Sequence, residues 1–146
     1  MIKKFVAVMI FSFVAAFSVS ICSAYHPHDY YEGDPYYGDP NYKYVWGGND
    51  YTNFYIDLSS IDVQEYNPPH YQIAGTFVSY SGYYHKVGTP KYMVRRYNWY
   101  AKESYHLDNG TWKQDKTNGT DNIAISNRRF ADALFRAAYN MDFYGY

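Results

Sequence analysis

Lys91-Tyr92-Met93-Val94-Arg95-Arg96-Tyr97-Asn98-Trp99-Tyr100-Ala101-Lys102-Glu103-Ser104-Tyr105 is the stretch on which the fold turns. Alternate residues of an extended chain point to opposite sides of a sheet. Met93, Tyr97, Trp99 and Ala101 therefore share one face, and Tyr92, Val94 and Tyr100 contribute to the other. Aromatic and β-branched side chains suit a pleated, half-buried surface, so the spacing predicts a strand over 91–106. Asn109-Gly110 follows it. That dipeptide accepts the positive φ values of a type I′ turn, and the strand is expected to fold back on 111–116 as a hairpin.

Upstream, the same period of two recurs. Phe54, Ile56 and Leu58 face one way and Tyr55 and Asp57 the other; Ser59-Ser60 reads as a short turn, and Ile61 to Glu65 repeats the alternation. Asn67-Pro68-Pro69 breaks the ladder, because proline has no N–H to donate. Tyr71 to Ser79 is a longer strand with apolar residues on both sides, closed by the loop signals Ser81-Gly82 and Gly88-Thr89-Pro90. Downstream the period changes to that of a helix. Phe130, Leu134, Ala137 or Ala138, and Met141 recur at three- and four-residue spacing, with Ser126 or Asn127 as N-cap and Arg128, Arg129, Asp132, Arg136 and Asn140 on the polar arc. The apolar stripe needs a sheet to lie on. The expected fold class is α+β: a small antiparallel sheet of about four to six strands, packed by one C-terminal α-helix.

The N-terminus has a different character. Met1-Ile2-Lys3-Lys4, an apolar run from Phe5 to Ile21, and Cys22-Ser23-Ala24 have the anatomy of a signal peptide cleaved after Ala24. Removing Lys3 and Lys4 leaves 11 basic against 14 acidic residues and takes away the sole cysteine, Cys22. The expected mature chain is exported to the periplasm, cell surface or medium, cannot form a disulfide, and has no transmembrane segment once the signal is gone. Its acidic balance argues against nucleic acid, which needs clustered Lys and Arg. Residues 25–44, YHPHDYYEGDPYYGDPNYKY, lack aliphatics and nearly repeat Tyr-Tyr-(Glu)-Gly-Asp-Pro. Such a tract reads as a disordered spacer or a sticky tyrosine-bearing arm, leaving 45–146 as a single domain.

Trp46, the run Phe54-Tyr55-Ile56-Asp57-Leu58-Ser59-Ser60-Ile61, a sheet-forming middle and a helix ending in Ala138-Tyr139 resemble small exported bacterial proteins related to surface-adhesin protein E. The pattern spans roughly 45–144. The resemblance implies an antiparallel sheet with a helix, surface display and binding of host proteins. This chain differs in having no lipobox, no cysteine pair and an added tyrosine-rich arm.

Chemistry-bearing motifs are few. Ser79, Ser81, Ser104 and His85 stand without a Gly-x-Ser-x-Gly elbow, the carboxylates Asp57, Glu65, Glu103 and Asp108 show no paired-acid spacing, and no cofactor motif is present, so no catalytic residue is assigned. His26 and His28 could donate imidazoles to zinc, copper or nickel, although solvated histidines are the simpler reading. Tyrosine stands out, with 21 of the 122 residues that remain after position 24. Phenol rings give large rigid contact area with a polar handle. The expected binding surface is an aromatic sheet face made of Tyr55, Tyr80, Tyr83, Tyr84, Tyr92, Tyr100 and Trp112, meeting a protein or glycan at a surface. The competing view is that these rings simply cover the sheet in place of scarce aliphatics. The function expected is an exported, non-enzymatic, adhesin-like binding module; the alternatives are an enzyme accessory or inhibitor, or a metal-binding protein using the N-terminal histidines.

Overall fold

The computed structural model of the chain describes residues 30–48 and 50–145. The expected leader and its expected cleavage site after Ala24, and both His26 and His28, lie outside the described residues. Seven strands form one antiparallel sheet: β1 Tyr42–Gly47, β2 Thr52–Asn67, β3 His70–Ser81, β4 Lys86–Val87, β5 Lys91–Asn98, β6 Glu103–Asp108 and β7 Thr111–Gln114. The path is β1-β2-β3-β5-β6-β7, with the short β4 paired to the end of β3. A helix, α1 Asn122–Tyr139, completes the α+β fold. Among the described residues no helix is long and apolar enough to cross a membrane.

Local chemistry sets several boundaries differently from the expectation. β2 runs straight through Ser59-Ser60, where a turn was expected: Asp57 pairs with Thr76 and Asp62 with Ala74, so residues 58–61 oppose Gly75 alone. This bulge is tied internally. The Asp57 carboxylate accepts the Ser59 N–H at 2.9 Å, and Ser60 Oγ accepts the Thr76 N–H at 2.7 Å. A Cβ on Gly75 would stand 2.9 Å from Leu134 and 3.0 Å from Ile61, so the missing side chain lets helix and bulge close on the sheet. The strand expected over 91–106 is two strands, because Trp99 to Lys102 make a turn in which Lys102 takes φ 53. The next turn is as expected, with Asn109 at φ 49 and Gly110 at φ 79 joining β6 to β7.

The helix starts a turn earlier than its apolar stripe suggests. Asp121, and neither Ser126 nor Asn127, is the N-cap, accepting the N–H groups of Ile123 at 3.1 Å and Ala124 at 3.0 Å. It ends at Asn140, whose left-handed φ of 55 lets its N–H reach Arg136 O. Met141 therefore lies past the helix and is exposed, while Arg128 and Asp132 leave the polar arc and are buried. Arg128 donates through Nη1 to Thr117 O and, at 3.0 Å, to Gly119 O; Asp132 accepts the N–H groups of Tyr144 at 2.6 Å and Gly145 at 3.1 Å. Those two buried polar groups hold the segments on either side of the helix.

The core lies between α1 and one face of the sheet, where Val45, Ile56, Ile73, Phe77 and Tyr97 meet Ala131, Leu134 and Phe135. Phe143 folds back from the tail into the same cluster. The opposite face of β1–β3 is covered by residues 31–41, which corrects the reading of 25–44 as a disordered spacer for its described part; residues 42–44 belong to β1. The near-repeat has a conformational meaning. Asp34 N–H reaches Tyr31 O at 3.1 Å and Asp39 N–H reaches Tyr36 O at 3.3 Å, with Gly33 at φ 80 and Gly38 at φ 79 in the third position of each turn, as a type II turn requires. The first turn aims buried Asp34 at the sheet, where it accepts the Tyr55 hydroxyl at 2.7 Å, and Glu32 O accepts the Tyr80 hydroxyl at 2.7 Å. Tyrosine does what aliphatics do elsewhere, with a bond at its tip.

Burial pushes the phenols of Tyr97 and Tyr55 well above the usual tyrosine range; for Tyr55 the hydrogen bond to Asp34 and its charge add to the rise. A raised folded pKa means that this contribution to stability is complete below the unfolded value near 10 and is lost as pH climbs above it. Alkaline titration of phenolate absorbance is expected to show a late step, in which phenols including these two are released only with cooperative unfolding; a single smooth titration without unfolding would contradict it.

Candidate functional site

The seven aromatic residues expected to make one face are divided by the structure. Tyr55 is 1% exposed and Tyr80 2%, so both are removed from any binding surface: their face of β2 and β3 is the one that 31–41 covers. Tyr83 and Tyr84 are exposed in the turn after β3, their rings 4.8 Å apart edge to face. Tyr100, 83% exposed, sits in the turn after β5, whose end pairs with the start of β3. The length of β3 separates these two groups, roughly 35 Å at about 3.3 Å per residue. Tyr92 and Trp112 remain, and they do lie on one surface.

That surface is the side of β5–β7 turned away from the helix. The registers Gln72↔Arg96, Arg96↔Tyr105 and Tyr105↔Gln114 put one row of side chains across four strands, and Leu107↔Trp112 adds a second. Paired residues of an antiparallel sheet share a face. The row is wired together: the Arg96 guanidinium lies 4.1 Å from the Trp112 ring centre, its Nε donates to Gln72 Oε1 at 2.8 Å, Gln72 Nε2 donates to Gln64 Oε1 at 2.7 Å, and Gln64 Nε2 donates to the Tyr92 hydroxyl at 3.1 Å. A shallow hollow of about 510 Å³ opens beside it, lined by Glu65, His70, Arg96, Asn98, Tyr105 and Trp112. Planar amide, guanidinium and ring groups are thus held flat, side by side, in solvent. Such a surface offers stacking together with directional hydrogen bonds.

Arg96, Gln72, Gln64 and Tyr105 were not singled out by the sequence. Period two from Tyr92 leads to Arg96, but the cross-strand partners depend on register. Arg95, next to Arg96 in sequence, points to the opposite face. There it is buried and bonds the Asp115 carboxylate, which also accepts from Ser104 Oγ and from His106 Nδ1 at 2.7 Å. Ser104 donates to a carboxylate and is itself 1% exposed, so it is not set against a histidine base in the way an activated serine is. Among the described residues no group of three or more His, Cys, Asp and Glu is placed to hold a metal ion.

Compared with protein-family models, with curated proteins and with solved structures, the chain matches none.

Proposed function

We propose that the chain is an exported, non-enzymatic binding module, adhesin-like in its mode of action, that meets a macromolecular partner through the Tyr92–Gln64–Gln72–Arg96–Trp112 surface. One observation carries this reading. Residues 31–41 cover the second face of β1–β3, whereas the same face of β5–β7 stays open and bears a bonded array of ring, guanidinium and amide groups. Holding long side chains in fixed positions costs entropy, which preorganisation recovers when a partner binds. Arginine, tryptophan and tyrosine are the side chains that dominate binding energy at interfaces. The leader Met1 to Ala24 supports export, and the resemblance of 45–144 to surface adhesins supports display.

The test uses purified chain on arrays of immobilised matrix proteins and glycans. Trp112→Ala and Arg96→Ala are each expected to weaken the strongest interaction at least tenfold, about 1.4 kcal/mol or more, with circular dichroism unchanged. Retention of full affinity by both variants would contradict the assignment of this face, and an exported product still carrying Lys3-Lys4 would contradict the cleaved leader.

A further inference from the structure

We propose, building on the reading of the open β5–β7 face as the binding surface, that the partner is a basic polypeptide segment, and that one of its arginine or lysine side chains enters the hollow beside Arg96 and pairs with Glu65. The hollow, of about 510 Å³, is lined by Glu65, by the aromatic Tyr105 and Trp112, and by His70, Asn98 and Arg96. A carboxylate and two rings around one opening suit a cation, which gains from the charge of the first and from the π faces of the others.

Charge on the sheet is sorted by side. Glu65 pairs with Gln72, Asp62 with Ala74 and through it Val94, and Glu103 with Asn98, so all three carboxylates share the side of Arg96 and Tyr105. β2 and β3 contain no lysine or arginine. On β5 and β7, Lys91 and Arg95 pair with Phe77 and Ile73 of the core, and Lys113 pairs with His106, the partner of Arg95. Arg96 is therefore the only lysine or arginine that these strands turn to the open side; His70, opposite Asn98, is the only histidine. None of Asp62, Glu65 and Glu103 forms an ion pair with a described residue. Asp62 accepts from Gln64 Nε2 at 3.0 Å and Glu103 from the Tyr105 hydroxyl at 2.6 Å, while Glu65 stands exposed at the hollow. A face that merely meets water mixes both signs. One that carries a single sign draws and orients partners of the other. The rings point the same way. Arg96 already shows that Trp112 receives a guanidinium, 4.1 Å from its ring centre. Tyr92, 59% exposed, lies one amide from Asp62, and Tyr105 is bonded to Glu103, so a basic side chain meets ring and carboxylate together. An acidic glycan or peptide would meet the same carboxylates as repulsion, and a neutral glycan would gain nothing from the sorted charge.

The purified chain is titrated with a synthetic octapeptide of alternating arginine and threonine, with its citrulline counterpart, which keeps the shape and loses the charge, with a neutral chito-oligosaccharide, and with polygalacturonate. The arginine peptide is expected to bind, shifting the Trp112 indole N–H and the side-chain amides of Gln64 and Gln72. Its affinity should fall at least tenfold between about 0.1 and about 1 M salt, as the screening length contracts from about 10 to about 3 Å. The citrulline peptide is expected to bind at least tenfold more weakly. Asp62→Asn combined with Glu65→Gln should lose a similar factor and Glu65→Lys more, while Asp142→Asn, which removes a carboxylate beyond the helix, should leave binding unchanged. Trp112→Ala separates the charge from the face. Full affinity in Trp112→Ala with loss in the acid variants would remove the ring array and keep the basic partner; loss in Trp112→Ala with full affinity in the acid variants would overturn the basic partner and keep the face. Equal binding of the citrulline peptide, a preference for either glycan, an equal loss in Asp142→Asn, or shifts confined to α1 would each overturn the proposal.

Discussion

Asp115→Ala is expected to destabilise the fold by about 3–5 kcal/mol, the range for removing one partner of a buried ion pair. The carboxylate has no exposed surface, and the Arg95 side chain is 3% exposed. Asp115 accepts from Arg95, Ser104 and His106 together, and its own N–H donates to Ser104 O at 2.8 Å. Alanine leaves a guanidinium buried with no counter-charge and removes the acceptor that joins β5, β6 and the segment leading to α1. A domain of this size has only about 5–15 kcal/mol of total stability, so a fall of more than about 10 °C in melting temperature is expected. The control is the double replacement Arg95→Met with Asp115→Leu. Burying a charge pair costs desolvation that its attraction barely offsets, so an apolar pair of similar volume is expected to recover most of the loss. A loss under about 1 kcal/mol for Asp115→Ala, or a double variant no better than the single, would contradict this account.

That cluster also shows what sequence could and could not reveal. The alternation in 53–58 and 91–98, the Asn109-Gly110 turn and the helical stripe from Phe130 are local properties, and all were legible. Arg95 and Arg96 look alike as a basic pair, yet the pleat sends one to the core and the other beneath solvent, over Trp112. Their partners come from sites about 20 residues or more away, Asp115 and Gln72, brought near only by register. Tyr55 lies on the side opposite Ile56, as the alternation in 53–58 gives, but period two says nothing of what lies above it, nor above Tyr80. The cover was hidden because 31–41 has no aliphatic residue. Composition alone underrates a tract whose turns place a carboxylate and a carbonyl against two phenol hydroxyls. The helix start was misplaced because Ser126 and Asn127 are cap-forming residue types standing just before Phe130, whereas the carboxylate that takes the first free N–H groups belongs to Asp121, a turn further upstream.

Phe135→Ala is expected to have an effect of the same size, about 3–5 kcal/mol, by a different physical route. Phe135 is 1% exposed and its ring is in contact with five others: Tyr139 at 4.9 Å, Tyr97 at 5.1 Å, Tyr71 and Phe143 at 5.3 Å, and Trp99 at 5.5 Å between centres. Through these rings it touches the helix's own last turn, β3, β5, the turn after β5, and the returning tail. Each aromatic pair adds about 0.5–1.5 kcal/mol beyond area burial, though these terms are shared and do not sum. Rings are stiff, so a cavity left at their centre collapses poorly. Phe135→Leu, which keeps most of the volume, should lose less than half as much. Tyr100→Ala, at a site 83% exposed, should stay within about 0.5 kcal/mol. Trp99 reports the local change, because it stacks on Phe135 at 25° and carries Lys102 Nζ 3.3 Å from its ring centre. Near-ultraviolet circular dichroism of the alanine variant should lose intensity below its melting transition. An unchanged spectrum with a loss under about 1 kcal/mol would mean that the tail and the helix are held by Asp132 and Lys102 alone, through the Tyr144 and Gly145 amides and the Phe143 carbonyl, and that the ring cluster is filling space without organising it.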